Sequence, residues 1–303
     1  MTIAVQTKTD PDASLKTALD TLAGHANVGP FIGRQLTQRL VTSNPSPAYV
    51  AAVATAFNGG GGSGGTRGDM KAVVKAVRLH PEARTSSATA AKLREPVLRL
   101  SAYLRAFPFT SGAGNFRVGN TDNACSALGQ TPLRSPSVFS FYRPGYVPPG
   151  TEAAKAGLAL PEMQLAQETS AAGYVNCMRD NVNSGVGTYN GTVAGVVRNR
   201  RDLQPDFGAE IALAEKLPEL LDRLNARLMH GSLPAALKTE IQGAVEKIVV
   251  PVLNSSSSTQ TAIDTAKLNR VKAAIFLTLV SPEFQFQKQH AGRPPGWAAE
   301  HHS

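Results

Sequence analysis

Apolar residues recur along this chain at intervals of three and four, the period of helices with one face turned inward. Leu15, Leu19 and Leu22 predict a short helix over Asp12–Leu22. Ile32, Leu36 and Leu40 predict a second over Pro30–Val41, opened by a proline where a missing N–H removes no intrahelical bond. After the turn Asn44-Pro45-Ser46-Pro47, the residues Tyr49, Val50, Val53 and Phe57 mark a helix over Ala48–Phe57. Met70, Val73, Val74 and Val77 mark another over Met70–Leu79, with Asp69 as its N-cap and His80-Pro81 as its stop. Leu93, Val97, Leu100 and Leu104 form the stripe of a helix between Lys92 and Phe107.

Further on, Pro161 to Asp180 reads as helical, and Thr188 to Gly195 as a glycine-rich break. Ile211, Leu213, Leu217, Leu220, Leu221, Leu224 and Leu228 then run at helical spacing through a restart at Pro218. Leu237, Ile241, Val245 and Ile248 make the next stripe, which Pro251 ends. Ser255 to Ser258 is a serine linker, Ala262–Leu279 is helical, and Ser281-Pro282-Glu283-Phe284 starts one more turn. No segment reads as a convincing strand. The expected class is all-α, an irregular multi-helix bundle with long ordered loops. One helical domain spans residues 1–288, and a tail over 289–303, rich in proline and glycine, is expected to be disordered.

Inside that domain, residues 108–150 break every period. The stretch is not a plain linker, because Val138-Phe139-Ser140-Phe141-Tyr142 concentrates aromatics that a disordered segment lacks. It is expected to be an ordered loop that packs Phe139, Phe141 and Tyr142 on the helical body.

Composition changes this picture little. The chain has 303 residues, 42% of them hydrophobic, enough to bury a sizeable core. No apolar run is long enough to span a bilayer, and Met1 to Leu22 lacks the regions of a signal peptide. Lysines and arginines number 31 against 22 acids, a net charge of +9. They are dispersed, however, and the densest group, Arg198, Arg200 and Arg201, lacks interleaved aromatics, so nucleic-acid binding is not expected. The two cysteines, Cys125 and Cys177, form no C-x-x-C. One disulfide in an oxidising compartment and two separate thiols fit equally well.

The glycine tract around Gly59–Gly68 invites sharper readings. A phosphate-binding loop needs a lysine followed by serine or threonine between a strand and a helix; here Arg67 stands alone and a helix precedes. Gly61-Gly62-Ser63-Gly64-Gly65 matches the nucleophile-elbow pattern, which works only as a strained strand-to-helix turn. In a glycine tract it arises by composition, and the stretch reads as slack between helices. Among the histidines there is no H-E-x-x-H; His80 and His230 end helices, where an imidazole complements the dipole. Glu162 and Glu168 fall on different faces of one helix. Asp202 and Asp206 are expected to be solvated, and Arg34, Arg39, Arg94, Arg99 and Arg143 to make structural hydrogen bonds. No cofactor or metal motif emerges.

Four stretches carry a family resemblance. They are Leu15 to Arg84, "LREPVLRLSAYLRAF", "LGQTPLRSPSVFSFYRPGYVPPG" and "FLTLVSPEFQFQK", with Asn-Pro-Ser-Pro, Arg-Gly-Asp and Arg-Pro-Gly-Tyr in order. The chain resembles the bacterial domain-of-unknown-function family 1800, in its C-terminal part, from Leu15 to Lys288. Ala26 stands where that family usually has proline, and the glycine loop is longer than usual. The resemblance implies an exported, periplasmic or extracellular protein with an additional N-terminal helical half, often encoded beside a second exported protein, a candidate partner. It carries over no catalytic residue.

Two functions follow as expectations. One is a non-enzymatic exported protein that binds a partner or assembles at the cell surface. The other is an enzyme whose active site a missing N-terminal half completes. Arg94, Glu95, Phe139, Phe141, Tyr142, Arg143 and Glu168 are the candidate partner or cleft surface. If a helical half is absent, Leu15, Leu19 or Phe31 should lie in an exposed apolar patch, with self-association or poor solubility as its consequence.

Overall fold

The computed structural model describes residues 10–60, 65–85, 92–193, 196–253 and 259–287. The serine linker, the tail over 289–303 with its histidines, and Gly61 to Gly64 lie outside the described residues. The fold is mostly helical, and its contacts divide it into two compact units.

The first unit holds residues 1–92 and the return of the chain over 149–159. Its helices Val28–Leu40, Pro47–Phe57 and Met70–Leu79 surround a core of Val41, Tyr49, Val53, Phe57, Val73 and Val77. Two of these helices meet closely because Gly33 carries no side chain: a Cβ there would stand 3.1 Å from Val53 Cγ1. The caps are those of the sequence. Asp69 Oδ1 accepts from the backbone N–H of Lys71 at 2.9 Å and of Ala72 at 3.2 Å. Ser46 Oγ accepts from Tyr49 N at 3.1 Å and donates to Glu82 at 2.5 Å.

His80 ends the Met70–Leu79 helix as expected, and its side chain takes a further part. Its Nδ1 accepts the Glu82 N–H at 3.2 Å, capping the helical turn that follows. Its ring stacks on Tyr49, with centroids 4.2 Å apart. Tyr49 donates its hydroxyl to the Val77 carbonyl, and burial, with Glu82 adding to the effect, pushes its pKa up to about 12. Lys92, which no pattern singled out, is fully buried and donates to the Gln38 carbonyl at 2.9 Å.

The Pro11–Gly24 helix buries none of its residues. Leu15, Leu19 and Leu22 are 59%, 57% and 66% exposed, and Phe31 is 61% exposed. The apolar side chains expected in water are in water.

The second unit holds 93–148 and 160–287. Its core joins Leu100 and Tyr103 of the Pro96–Ala106 helix with Tyr174, Met178 and Val182 of the Glu168–Ser184 helix. Leu217–Leu224, Ala235–Glu246 and Gln260–Val280 complete it with Leu220, Leu224, Ile241, Val271, Ile275 and Leu279. The leucine stripe through Leu228 is not one α-helix. At Asn225–Met229 the chain widens into a π turn and ends at His230, whose φ is 52°.

The expectation of no strand is corrected here. Val186–Val193 and Val196–Pro205 form an antiparallel hairpin, and Phe109–Ser111 pairs with the latter's far end, Phe109 opposite Pro205 and Ser111 opposite Leu203. Valine and threonine supply the β propensity, but glycines and bulges hide the alternation. The register shifts between Val186 and Tyr189, at Gly187, whose φ is 95° and whose Cβ would fall 2.0 Å from the Arg117 carbonyl oxygen.

Asp202 is the second correction. It is fully buried, not solvated. Its carboxylate accepts from Ser111 Oγ at 2.9 Å, Ala113 N at 2.7 Å and Arg117 N at 2.9 Å. These bonds tie the loop after Phe109–Ser111 to the sheet, and they make burial of a carboxylate tolerable.

Candidate functional site: a loop clasped by one carboxylate

Pro96 starts its helix because proline suits the first helical position and drives the residue before it out of the α region. Glu95 is therefore the N-cap, with extended backbone, and its side chain makes no cap bond. The cap comes from elsewhere. Gln130 Oε1 accepts the Val97 N–H at 3.2 Å.

That frees the Glu95 carboxylate to face the long loop. Its Oε2 accepts from Gln130 Nε2 at 2.5 Å, and its Oε1 accepts the Tyr142 hydroxyl at 2.7 Å. One carboxylate thus holds both ends of the segment between Gln130 and Tyr142, one oxygen to each. Bonds to an ionised acceptor are about twice as strong as neutral ones. The result is a compact surface loop with its ends together. Thr121 reinforces one end, donating to the Gln130 carbonyl at 2.6 Å.

Between the clasped ends the loop turns its apolar side chains outward. Leu133 and Val138 are 103% and 96% exposed, and Phe139 is 62% exposed. Leu133 and Ser140 both adopt left-handed backbone, with φ 63° and 67°. That conformation costs a non-glycine residue energy and persists only where the surroundings impose it. The ion pair of Arg134 with Asp122, at 2.7 Å, is one such restraint.

The sequence candidates therefore separate. Tyr142 is buried, Phe141 half-buried and Phe139 exposed, so the expectation that all three aromatics pack on the body holds only for the first two. The left-handed backbone at Ser140 stands between exposed Phe139 and the Phe141-Tyr142 pair. Arg143 is exposed and held through its backbone, its N–H donating to Gln164 Oε1 at 2.9 Å. Glu168 stands exposed in the first turn of its own helix and makes no ion pair among the described residues. Glu162 is buried in a separate 3-10 turn, Pro161–Leu165.

Beside the clasp lies a pair of arginines. Arg99 donates from Nε to the Arg94 carbonyl at 2.7 Å and from Nη1 to Gln285 Oε1 at 2.9 Å, and lies over the Tyr174 ring at 4.7 Å. Arg94 donates its backbone N–H to the Gln285 carbonyl and lays its guanidinium 4.7 Å from the centre of Phe284. Burial lowers the pKa of both; at Arg99 the neighbouring Tyr174 opposes the shift and the charge of Arg94 adds to it. Tyr174 is pushed up by burial, with Arg99 and Arg94 opposing, and donates to the Leu279 carbonyl at 2.8 Å. These contacts lock the Pro96–Ala106 helix to the end of Gln260–Val280.

Chemically, both Glu95 oxygens are engaged, so this carboxylate serves as a fastener. Among the described residues no cluster of three or more His, Cys, Asp or Glu could hold a metal ion, and no helix is long and apolar enough to cross a membrane. Gln130 escaped the sequence reading altogether, since a lone glutamine in an aperiodic loop gives no signal.

A mostly helical body carrying one clasped, outward-facing loop is the class of protein the chain defines. The family described as "Protein of unknown function (DUF1800)" matches residues 2–286, and the chain belongs to it. No curated protein and no solved structure matches the chain.

Proposed function

We propose that this is a non-enzymatic, exported binding or assembly protein that engages a partner protein through the tip of the Thr131–Phe141 loop. The observation that carries the reading is the clasp: a charged side chain fixes both ends of a loop whose tip shows Leu133, Val138 and Phe139 to water. Each of these would gain roughly 1.5–3 kcal/mol on burial, and grouped exposed apolar side chains mark interaction sites. The family resemblance supports export and makes a second exported protein, encoded nearby, the partner to try first.

Co-expression of the two tests this. The chain should co-purify with that protein, and Leu133→Ser, Val138→Ser and Phe139→Ser combined should abolish the association with Tm nearly unchanged. Equal recovery of the partner by the triple variant, or no association of the unaltered chain, would sink the reading.

A further inference from the structure

Cys125 and Cys177 are free thiols, Cys125 exposed and Cys177 half-buried. Cys177 lies on the Glu168–Ser184 helix one turn beyond Gly173. Residues four apart on a helix share a face, with Cβ atoms about 5–6 Å apart, and a helical side chain leans toward the preceding turn. The Cys177 sulfur therefore projects over the position of Gly173. The Ala124 carbonyl is packed against that position, with the Cys125 backbone next to it. A Cβ on Gly173 would fall 2.0 Å from the Ala124 carbonyl oxygen and 3.0 Å from the carbonyl carbon of Cys125. Only glycine lets the segment come so near, and this sets the Cys125 backbone against the helix face that Cys177 shares with Gly173.

The segment around Cys125 is short and held by its own turn. Asn123 Oδ1 accepts the Cys125 N–H at 2.8 Å, and the Ala127 N–H donates to the Asn123 carbonyl at 2.8 Å. Its exposed side makes the Cys125 sulfur the accessible one. Cys177 is shielded, with Asn181 Nδ2 3.5 Å from its sulfur.

We infer that Cys125 and Cys177 are a redox pair that closes to an intramolecular disulfide in an oxidising medium, fastening the segment leading into the clasped loop to the Glu168–Ser184 helix. The oxidant is a small-molecule or protein disulfide, and the exchange has two steps. The Cys125 thiolate attacks one sulfur of the oxidant, forming a mixed disulfide and releasing the other half as a thiolate. Cys177 then loses its proton to solvent, and its thiolate attacks the Cys125 sulfur and expels the second half. Two thiols are oxidised, one disulfide is reduced, and two protons leave. Burial raises the pKa of Cys177, the charge of Arg201 opposing, so less of it is thiolate at neutral pH than of an unburied thiol. Closure needs Cβ atoms about 3.5–4.5 Å apart, so the exposed Cys125 must come within that distance of Cys177.

The test uses the folded, full chain in oxidised glutathione, followed by alkylation, peptide mass mapping and a non-reducing gel. The expected result is loss of both alkylatable thiols, a linked pair of peptides bearing Cys125 and Cys177, unchanged monomer, and reversal by dithiothreitol. The oxidised form should melt about 5 °C above the reduced one, since the bridge closes a long loop. Cys177→Ser should stop at the first step and accumulate glutathione on Cys125. If both thiols of the unaltered chain remain alkylatable, if glutathione stays on Cys125 with Cys177 free, or if the link forms between two chains, the inference fails.

Discussion

The Pro11–Gly24 and Gln260–Val280 helices begin from the same signal, apolar residues at intervals of three and four, and end in opposite surroundings. In the second, Val271, Ile275 and Leu279 are fully enclosed. In the first no residue is buried, and Leu15, Leu19 and Leu22 face water. Periodicity fixes which face of a helix is apolar; whether anything covers that face depends on residues far away in the sequence.

The comparison can be broken at either end. Ile275→Ala should cost about 3 kcal/mol, the lost transfer of the side chain plus a cavity that neighbours cannot fill, and urea unfolding will read it. A loss under about 1 kcal/mol would mean that the core around it is loose. Glu95→Ala leaves the Gln130 amide and the Tyr142 hydroxyl without their acceptor. It should cost about 2 kcal/mol and open the loop to faster tryptic cleavage at Arg134 than in the unaltered chain. Unchanged resistance to trypsin would show that the clasp does not hold the loop.

Tyrosines sharpen the comparison by separating burial from partnership. Tyr103 is enclosed and its hydroxyl has no hydrogen-bond partner among the described residues, while Tyr174 is enclosed and bonded to Leu279. Tyr103→Phe should therefore be neutral or stabilise by up to about 1 kcal/mol, and Tyr174→Phe should destabilise by about 1 kcal/mol. Equal effects would remove the distinction. The same burial sets an alkaline limit. Tyr49 keeps its proton in the folded state to about pH 12, whereas in the unfolded chain it loses it near pH 10. Stability should be intact below pH 10 and fall from there toward pH 12. Tyr49→Phe should make that limb shallower in a pH series of melting curves. Smallest of all, Leu19→Ser should change stability by less than about 0.5 kcal/mol; a large loss would mean that the Pro11–Gly24 helix is covered in solution.

Most helices were legible because each announces itself locally. Met70–Leu79 appears with the bounds its stripe and Asp69 imply, and Pro30–Val41 and Ala262–Leu279 shift by only a residue or two. Lys92–Phe107 lost its first turn to Pro96, whose effect on the preceding residue outweighed the stripe's beginning at Leu93. The sheet was hidden by Gly187, placed for a close backbone approach and not for alternation. Buried Asp202 was hidden because two of its partners are backbone N–H groups, which have no signature in composition, and the third, the Ser111 hydroxyl, is far away in sequence. The candidate site was half legible. Glu95 and Tyr142 were marked, but Gln130, which joins them, was not, and nothing in a string of residues says that positions 95, 130 and 142 meet.

On the proposed function, the clasp at Glu95 bears on the lifetime of a complex. A free loop loses conformational entropy when it docks, and that loss weakens binding by roughly 0.5–1.5 kcal/mol for each side chain immobilised. Here the ordering is incurred during folding, because both ends are fixed and Leu133 and Ser140 already hold left-handed backbone. On the proposed function, a partner would therefore meet a surface in its final shape. Loosening the clasp should leave the encounter rate almost untouched and shorten the lifetime of the complex, so the effect of Glu95 on recognition belongs in the dissociation rate.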